Sequence, residues 1–300
     1  MWRLIPFFIV MVSSSGCDAK RSPSPSLPSG RSTARPVLGP NQEKAVEPYR
    51  VTCDWNETAW TERLTGWPQG WNEPDPTRGR WTPELAGALR EDTAEVLDLY
   101  NVPLTDEIRS LLMPLRNVRW LRMSANVTAT DVVWIGQMTQ LRGLSLAYAD
   151  LTRADLRALA SLQSLQFLDL QRAVMTNREF ASLPRLVQLQ TLWLEGRGVT
   201  DQFLEHLVEI ELPALRSAGL VGTSITDQGL ARFCSLYNLE CLDISLSRGV
   251  SKHSIAAISR MSKLRKLAIW ETGIVRGTVI NEDVKRLKQL LPDCAVSYAD

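Results

Sequence analysis

Leu165-Gln166-Phe167-Leu168-Asp169-Leu170 and Leu189-Gln190-Thr191-Leu192-Trp193-Leu194 stand 24 residues apart and share one apolar frame, L-x-x-L-x-L. The frame extends in both directions. Its first positions are Ala94, Val118, Leu141, Leu165, Leu189, Leu215, Leu239 and Leu264, at intervals of 24, 23, 24, 24, 26, 24 and 25 residues. Every copy carries an apolar pair three and five places later: Leu97/Leu99, Leu121/Met123, Leu144/Leu146, Leu168/Leu170, Leu192/Leu194, Ala218/Leu220, Leu242/Ile244 and Leu267/Ile269. Alternation of period two over so short a run predicts a strand. Most copies continue with an apolar residue, Thr or Ser, often an acid or amide, and then apolar residues at helical spacing. Examples are Leu104-Thr105-Asp106, Met175-Thr176-Asn177, Val199-Thr200-Asp201 and Ile225-Thr226-Asp227. The hydroxyl and acid at this point are the signature of a capped helix start.

On these residues the chain resembles leucine-rich repeat proteins, over roughly Ala94 to Ala295, and the T-D-x-x-L ending is similar to the helix-containing variety. The resemblance implies an α/β fold, a leucine-rich repeat solenoid with parallel strands on the concave face and helices on the convex face. Physics requires the same stacking, because a unit of two dozen residues cannot bury enough apolar surface alone to offset the entropy of ordering it. Neighbours must cover both flat faces of each unit, and the two ends need caps. Where the family commonly has Asn, Cys or Thr after the strand, this chain has Val102, Asn126, Ala149, Ala173, Arg197, Thr223, Ser247 and Thr272. A continuous buried polar ladder is therefore not expected.

Side chains between the buried leucines should alternate to the opposite side of the sheet, forming three columns. The first is Val96, Trp120, Gly143, Phe167, Thr191, Ser217, Cys241 and Lys266. The second is Asp98, Arg122, Ser145, Asp169, Trp193, Gly219, Asp243 and Ala268. The third is Tyr100, Ser124, Ala147, Gln171, Glu195, Val221, Ser245 and Trp270. With strands about 4.8 Å apart, Trp120, Arg122, Phe167, Asp169, Gln171, Trp193 and Glu195 are the candidate partner-binding residues. Aromatics ringed by carboxylates resemble a binding hot spot for a basic or polar partner. A solvated sheet face with incidental aromatics is the competing reading.

The expected organisation is a signal peptide at 1–17, a disordered tether at 18–48, a Trp-rich N-terminal cap at 49–92, eight repeats at 93–274 and a C-terminal cap at 275–300. Residues 1–17 hold one Arg, the apolar run Leu4 to Val12 and then small residues, too short a run to span a bilayer. Ser14-Ser15-Gly16-Cys17 resembles the bacterial lipobox, whose cysteine receives lipid. Ser14 stands where that motif has Leu, so ordinary cleavage nearby is the competing outcome. Ser, Pro and Gly dominate the tether, which cannot bury enough surface to fold. It reaches on the order of 30 Å. Five of the 10 tryptophans, Trp55, Trp60, Trp67, Trp71 and Trp81, fall in one short segment. Their expected role is to cover the first repeat; a sugar-binding platform is the alternative. Thr82, Pro83 and Glu84 predict a helix running to about Arg90. Val284, Leu287, Leu290 and Leu291 predict another, followed by an edge strand near Val296.

The net charge of +1 argues against a nucleic-acid footprint. His206 and His253 have no Cys or carboxylate at ligand spacing, and neither the G-x-S-x-G, the H-E-x-x-H nor the phosphate-loop pattern occurs. No catalytic, metal or cofactor site is expected. Cys53, Cys234, Cys241 and Cys294 are expected to be mostly free thiols, with the state of Cys53 open. Asn56 and Asn126 open glycosylation sequons, relevant only in a eukaryotic secretory pathway. The functional expectation is a non-enzymatic scaffold with a protein partner on the concave face. It would be exported and membrane-anchored through lipid on Cys17, facing the periplasm or the cell exterior. The alternatives are an envelope glycan binder acting through the 55–81 segment, a substrate-recognition subunit of an intracellular ubiquitin ligase, and a purely structural envelope protein.

Overall fold

The computed structural model describes residues 81–100, 102–124, 127–236, 239–275 and 282–298. The chain divides into two compact units, Met1–Val46 and Glu47–Asp300, and the described residues belong to the second. The expected signal peptide, the expected tether and the expected cap up to residue 80 lie outside the described residues.

Each copy of the apolar frame is a strand. β1 (Val96–Asp98), β2 (Trp120–Met123), β3 (Gly143–Leu146), β4 (Phe167–Gln171), β5 (Thr191–Glu195), β6 (Ser217–Val221), β7 (Cys241–Asp243), β8 (Lys266–Ala268) and β9 (Ala295–Ser297) make one nine-stranded sheet in chain order. Every pairing is parallel, and the register sets each frame on the next: Leu97 faces Leu121, Leu144 faces Leu168, Leu192 faces Ala218 and Leu242 faces Leu267. The leucine-rich repeat solenoid expected from the sequence is thus the observed architecture. Its core is a stack of leucines between the sheet and the returning helices, with Leu121, Leu144, Leu168, Leu194 and Leu242 essentially inaccessible to water.

α1 (Pro83–Arg90) precedes β1, and between strands the chain returns through α2 (Asp106–Leu112), α3 (Ala129–Ile135), α4 (Asn177–Phe180), α5 (Asp201–Ile210), α6 (Asp227–Leu236), α7 (Ile255–Ile258) and α8 (Glu282–Leu290). 3-10 helices at Leu156–Ser161 and Lys252–Ser254 make up the rest of the returns, the second leading directly into α7. Thr82 caps α1 through a bond from the Leu85 amide, with Pro83 at the first helical position, as the sequence signals place it. α8 and β9 follow the last repeat.

The Thr-Asp pairs do more than cap. Asp201 accepts hydrogen bonds from the amide and hydroxyl of Thr226 one repeat later, at 2.8 and 2.6 Å. Asp227 accepts likewise from Ser251, at 2.8 and 2.6 Å. Each acid caps the start of the following repeat's helical segment, so the hydroxyl-acid step is an inter-repeat brace. Among the described residues a polar ladder appears near the C-terminal end: the Thr223 and Ser247 hydroxyls lie 2.8 Å apart, both within hydrogen-bond reach of the Leu220 carbonyl, and the Ser247 hydroxyl accepts from the Thr223 amide. Thr272 donates to its own repeat's Ile269 carbonyl. Val102 and Ala149 fill the equivalent places with apolar contact.

Candidate interaction face

The strand register builds the three columns as the period predicts. Trp120 stands beside Gly143, Gly143 beside Phe167, Phe167 beside Thr191, Thr191 beside Ser217 and Ser217 beside Cys241. Asp169 stands beside Trp193 and Gln171 beside Glu195. The seven candidate residues therefore share one face.

Their environments differ from the expectation of an outward-facing surface. Trp120, Phe167 and Trp193 are buried, while Arg122, Asp169, Gln171 and Glu195 are half-buried. Small neighbours are drier still: Ser217 is 1% exposed, Cys241 2% and Asp243 3%. The tryptophans lie flat over glycines of the following strand. A Cβ on Gly143 would sit 2.0 Å from the Trp120 ring, and one on Gly219 would sit 2.2 Å from the Trp193 ring. The glycines are there because any side chain would collide with an indole.

Polar groups on this face are partnered unevenly. The middle-column aspartates each accept from the amide two residues on: Asp98 from Tyr100 at 3.0 Å, Asp169 from Gln171 at 2.9 Å and Asp243 from Ser245 at 2.8 Å. Ser145 adds a 2.7 Å bond to Asp169. These bonds do not offset lost hydration. Burial pushes the Asp169 carboxyl up, and pushes that of Asp243 up to about 6. Arg122 pairs with Asp98 at 3.6 Å and Arg172 with Glu195 at 2.5 Å. The carboxylates ringing the aromatics are thus already engaged within the chain, which removes much of the basis for expecting a basic partner. By contrast, Trp193 Nε1 and Ser217 Oγ are buried with no hydrogen-bond partner.

Sequence reasoning missed one rim of this face. Just past the strands, Tyr148, Arg172, Gly196, Gly222 and Leu246 all take positive φ, between 52° and 122°. Each donates its amide to the next repeat, as Tyr148 does to the Gln171 carbonyl at 2.8 Å and Arg172 to Glu195 at 3.1 Å. This turn carries Tyr148 against Tyr100 with ring centroids 6.2 Å apart; Arg122 stacks 4.4 Å from the Tyr100 ring and Arg172 5.6 Å from the Tyr148 ring. Tyr148 and Arg172 fall one place beyond the alternating strand, where a period-two reading stops.

The cysteines correct one expectation. Cys234 and Cys294 are free and buried, with thiols pushed up by burial to about 12 and about 11. Cys241 is disulfide-bonded, so of the described cysteines two are the free thiols expected and one is not. His253 also has a carboxylate neighbour that sequence spacing did not reveal, Asp227 at 3.7 Å. Among the described residues no group of three or more His, Cys, Asp or Glu is placed to hold a metal ion. No described helix is long and apolar enough to cross a membrane.

No family model matches the chain and no curated protein matches it. Among solved structures it is similar to internalin C2 of Listeria monocytogenes, at 20% identity and a TM-score of 0.44, over 72% of this chain and 93% of that one. It is also similar to a leucine-rich repeat protein of Leptospira interrogans, at 20% identity and a TM-score of 0.41, over 69% of this chain and 55% of that one. The architecture stands on the chain's own strand register.

Proposed function

We propose that this chain is a non-enzymatic protein-binding scaffold, exported and held at a membrane by lipid on Cys17, whose concave sheet face takes a macromolecular partner. One observation carries the reading. Trp120, Phe167 and Trp193 form a dry aromatic row on a parallel sheet, with Trp193 Nε1 and Ser217 Oγ left bare within it. Rigid aromatic area with unspent donors is what a recognition surface supplies, since buried polar groups without partners cost free energy that a bound main chain can recover. A pre-ordered solenoid adds that it loses little conformational entropy on binding. The Tyr100, Arg122, Tyr148, Arg172 rim would select partners by stacking and charge at the edge of the row.

A photo-crosslinking side chain placed at Glu195, compared with one at Arg157 on the opposite side, tests the reading in cells that make the protein. A discrete adduct from position 195 and none from 157 is expected. Adducts only from 157 would overturn the concave-face assignment. Intact mass and detergent partitioning test the anchor: a mature chain starting at Cys17 with added acyl mass supports it, and an unmodified soluble chain contradicts it.

A further inference from the structure

The nine-stranded sheet has two open margins. At the first, the Glu95 carbonyl accepts from the Trp120 amide at 3.1 Å and the Leu99 amide donates to the Arg122 carbonyl at 2.8 Å. Val96 and Asp98 alternate with these positions, so their main-chain N–H and C=O groups point away from β2. At the second margin Ala295 donates to the Arg265 carbonyl at 2.8 Å and Ser297 accepts from the Ile269 amide at 3.0 Å, which turns Val296 outward in the same way. Among the described residues no further strand pairs with either margin, and Val96 is 41% exposed. Proteins usually blunt such edges with lysine, proline or a bulge, because an open edge templates another strand. Ala295-Val296-Ser297 carries neither lysine nor proline.

The two ends also differ in charge. Residues 81–107, around α1 and β1, hold seven acids and one base, whereas residues 260–298, around α8 and β9, hold eight bases and four acids. Glu91 and Glu95 are exposed at the first end, and Lys285, Arg286 and Lys288 at the second. Among the described residues Glu91, Glu95 and Arg286 make no ion pair. Two like ends would bring like charges together, while unlike ends match opposite ones. Consecutive repeats of the chain already make that match on their outer surface, Arg232 with Glu205 at 2.6 Å and Arg185 with Glu211 at 3.4 Å.

We infer that copies of this chain associate end to end, the β9 edge of one copy pairing in parallel with the β1 edge of the next so that the sheet continues across the joint. The register that runs unbroken from Val96 to Ala295 sets Ala295 of one copy beside Val96 of the other, and Ser297 beside Asp98. Val296 then donates to the Val96 carbonyl and accepts from the Asp98 amide. α8 comes to lie beside α1, as α5 lies beside α6 within the chain, and carries its lysines and arginine to the acidic end. Such a joint is heterologous and leaves an open edge at each end of the assembly, so growth continues past a dimer. It uses strand edges and end charges rather than the concave columns, and stands or falls separately from a partner bound there.

Sedimentation of the full-length protein in non-ionic detergent, at rising concentration in low and high salt, is the first arm. The mass should pass beyond a dimer as concentration rises, and high salt should weaken association at least tenfold. Val296→Pro removes the outward N–H of β9 and Val96→Pro that of β1, and neither N–H is used within the sheet. Each variant alone should be monomeric with unchanged circular dichroism, and an equimolar mixture of the two should form a dimer and nothing larger. Should a variant fail to fold, carbodiimide coupling of wild type takes its place: a mixture of heavy-isotope-labelled and unlabelled chains should give mixed-isotope links from Lys285 or Lys288 to Glu91 or Glu95. A monomer at every concentration, a wild-type mass that stops at a dimer, variants that assemble as wild type does, or links only between identical ends would overturn the inference.

Discussion

The two sides of this solenoid handle carboxylates in opposite ways. On the convex side, Asp131 is 1% exposed and accepts from Arg109 Nε at 2.8 Å, Trp134 Nε1 at 3.0 Å and the Thr128 amide at 2.9 Å. Burial is the largest single influence on it and pushes its carboxyl up, but the donated hydrogen bonds together outweigh burial and hold it below the ordinary value. Glu179 and Asp227 follow the same pattern, the first accepting from Thr176 and Arg153, the second from Ser251 and Ser254. On the concave side Asp243 is nearly as dry and Asp169 half-buried, each with fewer donors, and burial pushes their carboxyls up instead. One side spends its acids on bracing repeats; the other keeps them and its aromatics in an uncompensated state that a bound chain would relieve.

The largest effect should come from breaking a convex brace. Asp131→Ala strands the guanidinium of Arg109 and the indole of Trp134, and should cost about 3 kcal/mol or more in denaturant unfolding. Asp243→Asn sharpens the other side. Because the folded carboxyl titrates at about 6 against an ordinary 3.8, the native state holds a proton that the unfolded state releases between those values. Wild-type stability therefore falls through this group as pH rises from about 4 to about 6, by at most about 3 kcal/mol at 1.36 per unit. The stability of Asp243→Asn relative to wild type should climb by that amount across the same window and stay flat above it. Asp131, whose folded carboxyl is lowered, has the opposite sign: its contribution is present above the ordinary value and is lost as pH falls below it.

Gly219→Ala comes next. Its methyl must displace the Trp193 indole, so it should cost on the order of 2 kcal/mol and shift tryptophan emission, whereas alanine at Gly87 in α1, where nothing lies near, should leave the emission as it is. The smallest effect belongs to the convex surface pair Arg232 and Glu205, 2.6 Å apart and both exposed. Arg232→Ala should change stability by less than about 0.5 kcal/mol, and less still in high salt.

Much of the fold was legible because the 24-residue interval makes every strand repeat the same side-chain parity, so that naming one leucine row fixes the concave columns. The Trp120–Gly143 and Trp193–Gly219 pairings were also present in those columns, as a bulky ring next to the one residue that leaves it room. What could not be read was environment. Asp131 and Asp243 are both acids in a repeat, yet only the fold brings Arg109 from 22 positions away to the first and leaves the second buried with only Ser245 donating to it. Tyr148 and Arg172 escaped because their positive φ breaks the alternation on which the columns depend. Cys241 looked like one more small residue in a column, since a disulfide depends on a second cysteine distant in sequence.

A single carboxyl titration of the intact protein, with carbon-13 resonances followed from pH 2.5 to 8, tests the contrast between the sides most directly. The account predicts a midpoint of about 6 for Asp243, a raised one for Asp169, and lowered ones for Asp131 and Asp227. Ordinary midpoints for Asp169 and Asp243 would mean that the concave face meets water, and would contradict it.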